Sequence, residues 1–92
     1  MIVYKYKIKQ DATVTQGLDL PKGARFLHAG EQYGELYVWR LLPDPDASTV
    51  TRKIYILATG FPANFQLGDL EHIKFLNTVQ MNSGLVWHVF CV

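Results

Sequence analysis

The stretch Ile2-Val3-Tyr4-Lys5-Tyr6-Lys7-Ile8-Lys9 decides the fold class, because its side chains alternate. Ile2, Tyr4, Tyr6 and Ile8 share one phase while Lys5, Lys7 and Lys9 share the other, and a period of two belongs to a strand with one face against a core. A helix would scatter the lysines around its circumference. The reading is therefore a half-buried strand over residues 2–9.

Working outward, the same period returns more weakly from Thr13 to Leu20, and Pro21-Lys22-Gly23 then supplies a turn. Arg25–Glu31 and Glu35–Leu42 flank Gln32-Tyr33-Gly34, a connection of hairpin length. Pro43-Asp44-Pro45-Asp46-Ala47-Ser48 cannot continue a ladder, since proline has no N–H to donate, so it reads as an exposed loop. Val50–Ala58 makes a fifth strand, closed by Thr59-Gly60-Phe61-Pro62.

No period runs through to Leu70, although Leu67-Gly68-Asp69 suits a single helical turn. Glu71–Met81 and Gly84–Val92 flank a further tight turn at Asn82-Ser83-Gly84. Seven strands at this spacing predict an all-β chain: one antiparallel β-sandwich or small barrel over residues 1–92, in a single domain.

Composition agrees with one compact core. Of 92 residues 49% are hydrophobic and 13% aromatic, enough apolar surface to offset chain entropy without disulfides or a structural metal. The lone Cys91 excludes an internal disulfide and fits a reducing compartment. The lysine-interrupted start holds neither a signal-peptide core nor a membrane-spanning run, so membrane insertion is not expected. A formal charge of +1 gives no global field toward nucleic acid.

Leu36–Leu42, Ile54–Ala58 and Leu85–Val92 are apolar in both phases apart from Arg40 and His88. Their second faces need a cover. The opposing sheet folding over or a second subunit would supply it, and the reading leans to a homo-oligomer joined through Leu85–Val92. Trp39 and Trp87, each inside an apolar strand, are expected to be structural.

Catalytic patterns are missing. Cys91 and His88 lie three apart on one strand and so point to opposite faces. His28, His72 and His88 are isolated, without the i, i+2 or i, i+4 spacing that would bring two imidazoles to one metal. No nucleophile elbow, Walker loop or dinucleotide fingerprint occurs. The expectation is a protein without catalytic residues, metal or cofactor; an enzyme would need His28 or His88 to meet a carboxylate in a cleft.

Two binding surfaces stay open. Lys5, Lys7, Lys9, Lys22, Arg25, Arg52 and Lys53 with Tyr4, Tyr33, Tyr37 and Tyr55 would form a basic, stacking strip, although lysine on alternate positions is also the usual protection of an exposed strand. Arg40 and Arg52 would face each other if the fourth and fifth strands pair around the proline loop. Their partner is either a structural carboxylate such as Asp46 or a ligand anion, and Thr59-Gly60 would complete an anion pocket with a hydroxyl and an open N–H.

Tyr4-Lys5-Tyr6, Leu20-Pro21-x-Gly23-Ala24, Val38-Trp39, Thr59-Gly60 and Trp87-His88-Val89-Phe90, in this order, give a chain that resembles a family of small uncharacterised proteins encoded by bacteriophages and prophages. The resemblance implies a phage product made in the host cell cytoplasm, with no catalytic residues to carry over. It implies a noncatalytic accessory protein that interferes with a bacterial host or defence system, by binding a host protein or sequestering a nucleotide signal. The alternative is a virion structural or assembly protein.

Overall fold

The computed structural model describes residues 1–12, 15–62, 67–69 and 71–92, so Thr13 and Val14 of the expected second strand, and residues 63–66 and 70 of the long connection, lie outside the described residues. Seven strands follow in order: β1 (Ile2–Ile8), β2 (Gln16–Pro21), β3 (Arg25–Gln32), β4 (Glu35–Leu42), β5 (Thr49–Ala58), β6 (Lys74–Gln80) and β7 (Val86–Cys91). A 3₁₀ turn at Leu67–Asp69 precedes β6. All pairings are antiparallel, in two sheets of order β1-β4-β3 and β2-β5-β7-β6, giving the expected sandwich.

Local chemistry places the turns. Tyr33 and Gly34 both take positive φ, 54° and 78°, which is the backbone of the two-residue hairpin turn whose twist matches its strands. After β2, the N–H of Ala24 donates to the Pro21 carbonyl around Gly23, whose φ of 88° a side chain would oppose. In the proline loop the Asp46 N–H donates to the Asp44 carboxylate, an Asx turn.

That loop does not fold β5 back on β4. It carries the chain from one sheet to the other, so β5 pairs with β2 and β7, and Arg40 and Arg52 lie in different layers rather than on paired strands. The prolines remove the donors that a tight hairpin would need.

The core lies between the sheets. Leu36, Val38, Ala29 and Ile8 from one layer meet Ile54, Ile56, Val89 and Trp87 from the other, each side chain buried. Full burial of one such aliphatic side chain contributes about 1.5–3 kcal/mol.

The two layers are joined at both edges by side-chain amides. Asn77 of β6 accepts from the Ala29 N–H of β3 at 2.8 Å and donates to the Ala29 carbonyl at 2.6 Å. Gln16 of β2 does the same for Lys9 after β1, at 2.8 Å each way. Each amide replaces one rung of a ladder and closes the sandwich toward a flattened barrel. Register shifts between Phe26 and His28 and between Phe75 and Asn77 place a bulge on each of the facing edge strands, next to the Ala29–Asn77 clasp.

One expectation changes. The first strand is not half-buried: of its apolar phase only Ile8 is buried, because β1 ends its sheet and no layer lies over Ile2, Tyr4 and Tyr6. The second faces of the apolar strands take part of their cover from the chain itself. Tyr55 is only 3% exposed and bonds Asp69, Phe75 packs on Phe90 with ring centroids 5.3 Å apart, and Trp39 lies between His28 and Tyr37. Trp87 is a core residue, whereas Trp39 is half-buried on the outer face of its sheet.

Candidate functional site

The four residues of the expected anion pocket do not converge. Arg40 projects from β4 on the inner face, where its guanidinium lies 5.4 Å from the Tyr6 ring centre, and its Nε is buried without a hydrogen-bond partner among the described residues. Asp46 is not its partner. Arg52 projects from β5 into the same interlayer space, with its guanidinium 5.0 Å from the Phe26 ring centre.

Arg52 donates Nε–H to the Val92 main-chain oxygen at 2.7 Å and Nη1–H to the Ala24 carbonyl at 3.0 Å, so main-chain oxygens hold it rather than an Asp or Glu side chain. Thr59 and Gly60 follow the far end of β5, about 23 Å along the chain from Arg52 at strand rise. There Thr59 serves His88: its hydroxyl is 2.6 Å from Nε2, while the Thr78 hydroxyl is 2.9 Å from Nδ1. His88 thus meets two hydroxyls and no carboxylate among the described residues. His28 packs beside Trp39 instead.

Cys91 points into the core and His88 away from it, as their spacing requires. Burial pushes the Cys91 thiol up, with Arg52 and Lys74 pulling weakly the other way, so the sulfur stays protonated at neutral pH. Among the described residues no three His, Cys, Asp or Glu side chains gather around a point that would hold a metal ion. No helix of the described residues is long and apolar enough to cross a membrane.

The expected basic strip is also divided. Tyr55 is buried, Lys53 pairs with Asp69 at 3.0 Å, and Lys5 lies over Tyr37 at 4.6 Å. Tyr33 projects from the hairpin tip.

What the fold does assemble is a groove at the end of the sandwich, between the start of β3 and the adjoining ends of β5, β6 and β7. Ala24, Arg25, Phe26, Leu27, Arg52, Lys74 and Cys91 line about 420 Å³. Three of its lining residues are cationic and none is Asp or Glu. The Lys53–Asp69 contact is the one ion pair among the described residues, so no Asp or Glu side chain pairs with Arg25, Arg52 or Lys74. The β3 bulge sets Leu27 out of register beside Arg25, and β6 pairing places Lys74 opposite Cys91.

Arg52 is a candidate for an anion site in the sequence only through an expected pairing with Arg40 across the fourth and fifth strands, which the sheet order does not bear out. Arg25 and Lys74 were not singled out for this site, since only the approach of β3 to β6 brings them together. No signal in one sequence reports that approach.

Fold and groove together define a small two-sheet antiparallel β-sandwich with a cationic groove at one end. The chain belongs to the family described as Domain of unknown function (DUF7352), whose model matches residues 1–92. No curated protein and no solved structure matches it.

Proposed function

We propose that the protein is a noncatalytic binding module whose ligand is a small phosphorylated molecule held at Arg25, Arg52 and Lys74. One observation carries this reading: three cationic residues line one groove that no Asp or Glu lines. Like charges brought together repel, and in a partly desolvated groove that repulsion is relieved by an anion. The volume lies in the range of small-ligand sites, and Phe26 and Leu27 offer apolar surface to a base or ribose beside the phosphate.

The resemblance to phage-encoded proteins supports a finer proposal. In a host cytoplasm such a module would interfere with defence by holding a nucleotide signal away from its receptor. A screen of pyrophosphate, cyclic nucleotides and ADP-ribose-type compounds by thermal shift tests the reading. A ligand at 100 times its dissociation constant raises stability by about 2.7 kcal/mol, which a small domain reports as a shift of several degrees. No shift with any phosphorylated compound would turn the account to direct blocking of a host protein.

A further inference from the structure

β1 differs from β2, the edge strand of the other sheet on the same side. β2 buries Leu18 and Leu20, ties Asp19 to the Thr51 hydroxyl and ends on Pro21, which has no N–H to offer. β1 ends its sheet with one edge open, and among the described residues bonds to the second sheet come after the strand, where Lys9 meets the Gln16 amide and Gln10 accepts from the Trp87 indole. Its inner phase is uncovered, with Ile2 41%, Tyr4 47% and Tyr6 37% exposed, and Val3 on the other face is 54% exposed. On that other face stand Lys5 and Lys7, with Lys9 just beyond the strand.

We propose that the open edge of β1 is a strand-addition site for an extended peptide that alternates acidic and apolar residues. A strand laid along this edge would take up the free main-chain groups of Ile2–Lys7. Its apolar phase would cover Ile2, Tyr4 and Tyr6, and its acidic phase would stand opposite Lys5 and Lys7.

Charge decides the occupant. A second copy pairing through a two-fold axis must set each face against the same face, so an antiparallel pair centred on Lys5 puts Lys5 opposite Lys5 and Lys7 opposite Val3. Like charges across a ladder destabilise it, whereas a carboxylate in the same place is attracted. In every register a second copy of Ile2–Ile8 offers these lysines no carboxylate, since the strand contains none, so the charge favours an acidic strand over this chain's own copy. The site shares no residue with the Arg25–Arg52–Lys74 groove.

The test is fluorescence anisotropy with two short labelled peptides, one alternating valine with glutamate and the other valine with lysine. The glutamate peptide is expected to bind at least about tenfold tighter, a difference of about 1.4 kcal/mol. Amides of residues 2–8 should gain hydrogen-exchange protection, and the doubly substituted Lys5→Glu, Lys7→Glu protein should invert the preference. Both lysines are exposed, so a thermal melt confirms that this variant folds. Lys74→Glu should leave peptide binding unchanged, which keeps the result separate from the groove. Equal binding of the two peptides, no binding at millimolar peptide, a preference that survives the charge reversal, or attachment to anionic vesicles without any response to peptide would each overturn the proposal.

Discussion

The side chain of Asn77 pairs with both main-chain groups of Ala29, and through that pair the two sheets share an edge. Ala29 is fully buried, so its N–H and carbonyl have no water to turn to when the amide is removed. Asn77→Ala should therefore lower stability by about 2–4 kcal/mol, from two lost hydrogen bonds and two stranded groups. The matching Gln16→Ala, at the solvent-exposed Lys9 clasp, should cost only about 0.5–1.5 kcal/mol. Urea unfolding of the two variants side by side checks the contrast, and equal losses would deny the Asn77 clasp its special place.

Tyr55 predicts a pH effect. Its hydroxyl donates to Asp69, and this bond, followed by that from Lys53, holds the Asp69 carboxyl below the usual carboxylate range. A depressed folded pKa contributes stability that is full above the unfolded pKa and is lost as pH falls through the folded value. The midpoint of urea unfolding should therefore drop as pH falls below about 4, and Asp69→Asn should flatten that drop. On the alkaline side burial, then the Asp69 bond, raises the Tyr55 hydroxyl above its ordinary value, so stability should fall again as pH passes about 10. A wild-type acid limb identical to that of Asp69→Asn would contradict the coupling.

Arg40 and Arg52 should respond oppositely to the same change. Arg40 keeps a buried Nε with no acceptor among the described residues, so Arg40→Met removes an uncompensated polar atom, gives up the cation over the Tyr6 ring and keeps a long apolar side chain in its place. Stability should stay level or rise. Arg52→Met strands the Ala24 carbonyl and the Val92 oxygen, and should cost about 1–3 kcal/mol. Thermal melts of both variants decide it; a large loss at Arg40 would reveal an acceptor it depends on.

These contrasts mark where sequence reading succeeded. Strand existence and most turns were legible because they are local: the Tyr33-Gly34 turn and the Pro21–Ala24 turn follow from residues that accept the required φ. What the sequence hid is non-local. The alternation of β1 predicts a buried face, and the residues do alternate, yet burial depends on whether another layer reaches that far. Likewise Arg52 is marked for an anion site in the sequence only by an expected place opposite Arg40, while Arg25 and Lys74 become its neighbours where β3 approaches β6. A polar Asn77 in a strand gives no sign that it will act as a ladder rung for another sheet.

The central claim is that Arg25, Arg52 and Lys74 hold a phosphorylated ligand, and isothermal titration of the protein with the best compound of the thermal-shift screen tests it most directly. Arg25 and Lys74 are exposed and make no ion pair among the described residues, so Arg25→Glu and Lys74→Glu should fold normally. The account predicts saturable binding that weakens with salt and falls at least about tenfold in each variant, since each reversal replaces attraction by repulsion at the groove. Binding of unchanged affinity in both variants would contradict it.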